Sequence, residues 1–168
     1  NSDRFRFFSS VHKESDLLVG VSHQSYEPDM ETVCREEQLR LYGLLTAHIR
    51  SHPTFASSLN PLQPDQREGS LARELEVLYS CGLATGTGPM SAVAGLFAQE
   101  CGKLLGKNLS CELLVENGGD LYLRNQENLV VVIHAGDVAL SGKLGLEIPA
   151  GEWGICTSSG TLGHSFSK

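Results

Sequence analysis

Apolar residues first cluster in two short runs, residues 4–10 and 16–22, with the polar residues His12, Lys13 and Glu14 between them. Runs of this length, rich in Phe, Leu and Val and bounded by polar residues, are typical of β-strands. The pattern therefore predicts two strands, which a turn at 12–14 would join as a hairpin.

After Pro28 the spacing of apolar residues changes to that of a helix. Between residues 29 and 50, apolar side chains recur on one helical face and charged side chains occupy the rest. The apolar face consists of Val33, Leu41, Leu44, Leu45 and Ile49. The pattern predicts a helix over 29–50, an ordered loop or exposed connector over the proline-containing residues 53–68, and a short helix over 70–81.

A wide apolar stripe at helical spacing follows the segment Gly86-Thr87-Gly88. The next residue is Pro89, and proline is favoured at the first position of a helix. The stripe consists of Met90, Val93, Ala94, Phe97, Ala98, Cys101, Leu104 and Leu105. It predicts a long buried helix near 88–105.

The period then returns to that of strands, in short runs mostly separated by glycine turns. These runs are residues 111–116, 121–124, 129–135, 144–148 and 154–158. Opening strands, then helices, then a run of strands predict an α+β fold in which an antiparallel or mixed sheet packs on the helix at 88–105. With 168 residues, the chain fits a single domain over 1–168. Because its last residues read as the start of another strand, we expect a C-terminal segment to be missing.

Composition narrows the functional classes. The net charge is −7 and no stretch concentrates Lys and Arg, which argues against nucleic-acid binding. Apolar stretches fall far short of the roughly 20 residues that span a bilayer, and no signal peptide is visible. The five cysteines form no C-x-x-C motif or zinc-site spacing, which favours reduced, mostly buried thiols. We therefore predict a cytoplasmic protein without a membrane anchor.

Two glycine-containing stretches are candidates for ligand binding. Thr85 to Met90 leads into a helix N-terminus, where free N–H groups and the helix dipole attract anions. Its alternative interpretation is a tight helix entry without a ligand. The second stretch, Glu116-Asn117-Gly118-Gly119-Asp120, combines a flexible turn with an amide and a carboxylate. An ordinary hairpin turn would have the same composition.

Two later stretches carry further candidate chemistry. The segment from Cys156 to Ser165 is rich in hydroxyl donors that could hold phosphate oxygens or a heterocycle. A Cys156 or Ser158 nucleophile acting with His164 is the hydrolase alternative, and a Ser/Thr-rich turn is the plain structural one. Lys143, between glycines at 142 and 145, could reach a phosphate or remain a solvated turn lysine.

Taken together, these motifs resemble an uncharacterised prokaryotic family of the ApbE-like superfamily. The resemblance rests on Gly88-Pro89-Met90-Ser91-Ala92-Val93-Ala94-Gly95, Val115-Glu116-Asn117-Gly118-Gly119-Asp120, Ser141-Gly142-Lys143-Leu144-Gly145 and Gly154-Ile155-Cys156-Thr157-Ser158-Ser159-Gly160-Thr161, in this order. It covers nearly the whole chain. The superfamily includes FAD-dependent protein flavinyltransferases, whose Asn-x-Gly-Gly-Asp turn and Ala-Thr-Ser-Gly stretch resemble two of these motifs.

The resemblance implies an ApbE-like, T-fold-related domain whose loops line one cleft for a flavin nucleotide, FAD or FMN. The cofactor-binding residues would be Gly86, Thr87, Gly88, Asn117, Gly118, Gly119, Asp120, Lys143, Thr157, Ser158, Ser159, Gly160 and Thr161. Asp120 and His164 are the catalytic candidates. The resemblance leaves open a role for Mg²⁺ and the formation of a homo-oligomer.

One motif departs from the flavinyltransferases. Gly88-Pro89-Met90 stands where they have Gly-Gly-x-x-Lys-Gly, and their metal ligands lie beyond the point that this chain reaches. Three hypotheses follow: an ApbE-like flavin-binding protein of unassigned role, an active Mg-dependent FAD:protein FMN transferase, and a non-enzymatic binding or scaffold module that has lost the ligand.

Overall fold

The fold is α+β, as predicted, with strands at both ends of the chain and helices between them. A computed structural model describes residues 4–65, 69–107, 112–133, 136, 137, 139 and 141–157. The helices in these residues are α1 (Met30–Ser51), α2 (Pro53–Ser57), α3 (Arg73–Thr85) and α4 (Val93–Leu105). The strands are β1 (Phe5–His12), β2 (Ser15–Ser22), β3 (Leu113–Asn117), β4 (Asp120–Asn125), β5 (Leu129–Val132), β6 (Gly145–Ile148) and β7 (Gly151–Ile155).

Five of the strands form one sheet in the order β1-β2-β3-β4-β7, and every neighbouring pair is antiparallel. The predicted hairpin of β1 and β2 is therefore confirmed. It joins the later strands through β2 and β3, where Val19 lies opposite Val115. Among the described residues, strands β5 and β6 pair only with each other and form a separate antiparallel hairpin.

Helix α4 packs against one face of the sheet, which confirms the predicted buried helix. Alternate residues of β2 and β3 point to this face because successive strand side chains alternate between the two sides. The core between α1, α4 and the sheet contains Leu17, Val19, Val21, Met30, Cys34, Ala98, Cys101, Leu105, Leu113, Val115 and Tyr122. Gly102 permits the close approach, since a Cβ there would lie 2.3 Å from Cδ1 of Tyr122.

A second apolar cluster lies between the helices themselves. It contains Leu41, Leu45, Phe55, Leu75, Leu78, Tyr79, Leu96 and Phe97. Phe55 is fully buried and comes from α2, which lies in the region predicted as a loop or connector over 53–68. That prediction was wrong for residues 53–57, because the prolines in the segment obscured a single turn that begins at Pro53, where proline is tolerated.

Helix boundaries also differ from the prediction. Helix α3 continues to Thr85 and ends at Gly86, whose left-handed φ of 72° caps it, whereas the apolar spacing had indicated an end near residue 81. The stretch from Pro89 to Ala92 is a 3₁₀ turn, so α4 begins at Val93 rather than at 88 or 89. Gly88 explains this entry, since its backbone packs directly against the Ser58 carbonyl.

The last strands are shorter or shifted relative to the prediction. Strand β5 ends at Val132, and β7 covers Gly151–Ile155 instead of 154–158. Trp153 consequently lies within β7 rather than at a turn, and its indole N–H donates to the Pro149 carbonyl at 2.9 Å. Within the described ranges, no helix is both long enough and apolar enough to cross a membrane.

Candidate functional site

The turn between β3 and β4 is the centre of the candidate site. Asn117 pairs with Asp120 across the turn, and the two residues between them are Gly118 and Gly119, with φ of 60° and 100°. Residues with a side chain rarely adopt these positive φ values, so the turn requires glycine at both positions. The Glu116 carboxylate accepts the Gly119 N–H at 2.6 Å and fixes the turn from the side.

Asn117 connects this turn to the beginning of α4. Its side chain is buried, and its amide donates to the Ala94 carbonyl at 3.1 Å. A buried amide needs such a partner because leaving it without a hydrogen bond costs roughly 1–3 kcal/mol. The bond therefore fixes the turn beside the first turn of the helix.

Asp120 lies at the N-terminus of α4 and joins three segments. Its carboxylate lies beside the Gly95 N–H, the Thr157 N–H and the Cys156 thiol, and each of these groups favours the charged carboxylate. Burial raises the pKa of Asp120 above its ordinary value of 3.8 and outweighs these donors, and the nearby Glu116 charge acts in the same direction. The carboxyl group is thus held in a half-buried position from which it can accept or hold a proton.

Thr157 closes the site from the end of β7. Its hydroxyl donates to the Gly119 carbonyl at 2.9 Å. A Cβ on Gly119 would lie 2.3 Å from the Thr157 Oγ1, so the second glycine of the turn is needed for contact as well as for conformation. The structure therefore brings together the turn at 117–120, the start of α4 and Thr157.

The connection from α3 to α4 adds a row of hydroxyl groups. Thr87 Oγ1 lies 2.7 Å from Thr85 Oγ1 and 2.8 Å from Ser91 Oγ. These three hydroxyl groups belong to the segment that runs from the end of α3 into the start of α4.

The predicted anion site at a helix entry has a different form in the structure. The α-helical N–H groups begin at Val93 rather than at Pro89, and the one at Gly95 already faces the Asp120 carboxylate. An internal carboxylate at this position satisfies the helix dipole as a bound anion would. Gly88 is buried against Ser58, which gives its missing side chain a packing role.

Other predicted site residues are distributed differently. Lys143 lies in the turn before β6, in the hairpin rather than in the five-stranded sheet, and its role stays a prediction. Ser158, Ser159, Gly160, Thr161 and His164 lie outside the described residues.

Cys156 does not have the environment of an activated nucleophile. Burial and the adjacent Asp120 charge raise the pKa of its thiol, although the residue is exposed. A thiol reacts as its thiolate, and reactive cysteines have lowered pKa values. This environment argues against the hydrolase alternative for Cys156; Ser158 and His164, its other members, lie outside the described residues.

The part of the chain that the structure describes contains no candidate metal site. No group of three or more His, Cys, Asp or Glu side chains is arranged there to hold an ion. The described residues thus offer hydroxyl, amide and single carboxylate groups instead of a metal centre.

The sequence did not indicate the roles that four residues have in this site. Glu116 accepts the Gly119 N–H, Ala94 accepts the Asn117 amide, and Gly95 and Cys156 lie beside Asp120. The small side chains at 94 and 95 were the available signal, because a glycine in the first helical turn leaves room beside its N–H; the Asp120 Oδ2 lies 3.5 Å from where a Gly95 Cβ would be.

The chain was compared with known families and proteins. A family model described as "AbpE bacteria" matches residues 1–168. Among curated proteins, a UPF0280 protein of Methanococcus maripaludis strain C5 is 33% identical over 92% of this chain and 62% of its own length. A UPF0280 protein of Methanocella arvoryzae is 35% identical over 90% of this chain and 59% of its own length. One from Methanothermobacter thermautotrophicus is 38% identical over 73% of this chain and 47% of its own length.

The alignments do not extend over the whole of these relatives. The chain spans at most 62% of the length of the three curated relatives named above. Each relative therefore contains polypeptide outside the region that this chain matches.

Proposed function

Since the chain belongs to the family described as AbpE bacteria, we propose that it is an ApbE-like protein that binds a flavin nucleotide, FAD or FMN. The ligand would bind where the 117–120 turn, the start of α4 and Thr157 meet. The convergence of these segments is the observation that supports the proposal, because they are distant in sequence and carry the motifs of the resemblance.

The donor set suits the polar part of a nucleotide. Thr85, Thr87 and Ser91 offer hydroxyl groups to ribityl, ribose or phosphate oxygens. Gly118 adds backbone that a ligand can approach closely, since nothing lies within 4 Å of where its Cβ would be.

Asp120 has a distinct role in this proposal. A carboxylate repels phosphate, so the phosphates would lie towards the hydroxyl row, and Asp120 would accept a hydrogen bond from an N–H or O–H of the ligand. The Gly95 N–H, the Thr157 N–H and the Cys156 thiol surround it on the protein side of that contact. Asn117 and Glu116 would act on the ligand only by positioning the turn.

Titration with FAD tests the proposal directly. We expect quenching of flavin fluorescence with saturable binding, and weaker binding for Asp120→Asn and Thr87→Val, each of which removes one polar contact. Such a contact corresponds to about 1 kcal/mol, or roughly a fivefold change in Kd.

Lys103→Ala provides the matched control. Lys103 lies in the last turn of α4, about 15 Å along the helix from Val93 at 1.5 Å per residue, and should leave the Kd unchanged. If FAD and FMN both fail to bind at high micromolar concentration, with and without Mg²⁺, the proposal is wrong.

A further inference from the structure

The sheet has a second apolar face, turned away from α1 and α4. Cross-strand partners share a face, and one row of partners runs across all five strands: Phe7, Gly20, Leu114, Leu123 and Trp153. We call this side of the sheet the open face. It also contains the apolar residues Val11, Leu18, Leu121 and Ile155 and the polar residues Ser9, Asp16 and Glu116.

The open face is unusually exposed for so apolar a surface. Phe7 is 44% exposed, Leu18 40%, Val11 51% and Trp153 42%. Single exposed apolar residues are normal, whereas a contiguous patch of them marks an interaction site. Antiparallel sheets with one solvated face usually carry polar side chains there, so the exposed Phe, Leu, Val and Trp side chains on this face are unusual.

The β5–β6 hairpin leans over part of this face without packing tightly onto it. A cavity of about 570 Å³ lies between them, with walls that include Phe5, Leu114, Leu123, Leu129 and Val131. The cavity is open to solvent on one side, so the hairpin and the sheet form a groove rather than a closed core. The hairpin also exposes Val130 and Val132.

The charged groups at the rim of the cavity are already paired. The Arg4 guanidinium binds Glu112 through two nitrogens, and the Asn128 amide donates to Glu147 at 3.1 Å. The walls therefore present apolar side chains and no unpaired charge. Such a surface suits the apolar side of another polypeptide layer.

We infer that the open face is the docking surface for a further polypeptide layer of this family, the region that curated relatives carry outside the matched part. That region amounts to 38% of the M. maripaludis C5 relative, enough to cover a five-stranded sheet. Its apolar side lies against the row from Phe7 to Trp153 and fills the cavity beneath β5–β6.

A second copy of the chain fits this surface less well. Two sheets pack about 10 Å apart through flat faces. The β5–β6 hairpin rises over one part of the open face and would separate two such faces. A segment that enters between the hairpin and the sheet meets no such obstacle.

The test compares the 168-residue chain with the complete product of its gene. Hydroxyl-radical footprinting, read by mass spectrometry at single residues, is applied to both. We expect the modification rates of Phe7 and Trp153 to fall severalfold in the complete product. Leu39 and Leu83, on outer helix surfaces with similar exposures of 47% and 43%, serve as controls whose rates should not change.

Each other outcome would overturn the inference. Equal rates at Phe7 and Trp153, or a complete product no longer than 168 residues, would leave the face without the proposed cover. Protection that appears only in a dimer, by light scattering, would assign the face to a second copy.

A pair of variants gives an independent readout. Leu18→Lys should lower the Tm of the complete product by several degrees, because it would bury a charge, and leave the 168-residue chain nearly unchanged. Leu39→Lys should affect both proteins equally little. Equal effects of Leu18→Lys on the two proteins would contradict the inference.

Discussion

At the scale of single residues, the two glycines of the 117–120 turn are needed for different reasons. Gly118 is needed for its backbone conformation, and Gly119 for its conformation and for its contact with Thr157. Both have positive φ, but only Gly119 lies against another residue, Thr157. We expect Gly119→Ala to lower the free energy of unfolding by roughly 1–3 kcal/mol, the usual range for backbone strain at such a position. Gly118→Ala should cost less, because its added Cβ meets open space. Guanidinium unfolding of both variants measures the difference, and equal losses would contradict the assigned contact.

Asp120 makes the stability of the site depend on pH. Because burial raises its pKa, the folded protein holds this proton more tightly than the unfolded chain does. Its contribution is full below the ordinary pKa of 3.8 and is lost as pH rises through the raised value. Asp120→Asn, which keeps the shape without the charge, should therefore gain in Tm relative to the natural chain as pH rises above 3.8.

Thermal unfolding at successive pH values measures this difference. Asp16→Asn, at an exposed carboxylate of β2, is the matched control. A Tm difference between Asp120→Asn and the natural chain that stays constant with pH would show that Asp120 is not the group responsible.

At the scale of elements, the position of α4 on the sheet depends on Gly102. The Tyr122 ring occupies the space that a side chain would need, with ring atoms 2.3 and 2.6 Å from an added Cβ. Gly102→Ala should cost about 1–3 kcal/mol as an overpacked core substitution, despite the better helix propensity of alanine. Gly43→Ala in α1, where nothing lies within 4 Å, should be neutral or stabilising. Urea unfolding compares the two, and similar effects would mean that α4 can shift away from the sheet.

Elements were predictable from sequence where local spacing decides them. The strands at 4–10 and 16–22 and the stripe of α4 follow periodicity that short windows reveal. The start of α4 could not be predicted from such periodicity, because the 3₁₀ turn depends on the contact of Gly88 with Ser58, thirty positions earlier. The start of β7 depends in the same way on pairing with β4, where Gly151 lies opposite Asn125.

The candidate site was predictable only in part for the same reason. The Asn-Gly-Gly-Asp turn has a recognisable composition, so its residues could be named in advance. That Asp120 would lie beside the Gly95 N–H depends on how α4 lies against β3 and β4, which no local pattern encodes. The position of Cys156 beside Asp120 likewise depends on β7 lying beside β4.

At the scale of the whole molecule, an ion pair connects the start of the described chain to the residue that precedes β3. Arg4 binds Glu112 through two nitrogens and lowers the pKa of this carboxyl. The pair's contribution is present above the ordinary pKa of 4.5 and is lost as pH falls through the lowered value. Arg4→Met should cost about 1–2 kcal/mol at pH 7 and less at acid pH, as measured by chemical unfolding at both values.

A second ion pair offers the matched control for this prediction. Arg40 binds Glu37 and Glu74 on helix surfaces, where it is half exposed, so Arg40→Met should cost less than Arg4→Met at pH 7. A cost for Arg4→Met that does not change with pH would contradict the role of Glu112.

The antiparallel pairing of β2 with β3 has a consequence for the order of folding. Val19 and Val115 are neighbours in the sheet although 95 residues separate them along the chain. During synthesis from the N-terminus, the β1–β2 hairpin leaves the ribosome long before its partner strand exists. Long-range pairing of this kind slows folding, and an unpaired apolar strand is prone to aggregate in the meantime. The first hairpin therefore depends on α1 to cover its apolar side chains while the later strands are being made. In this way α1 protects the nascent chain from aggregation.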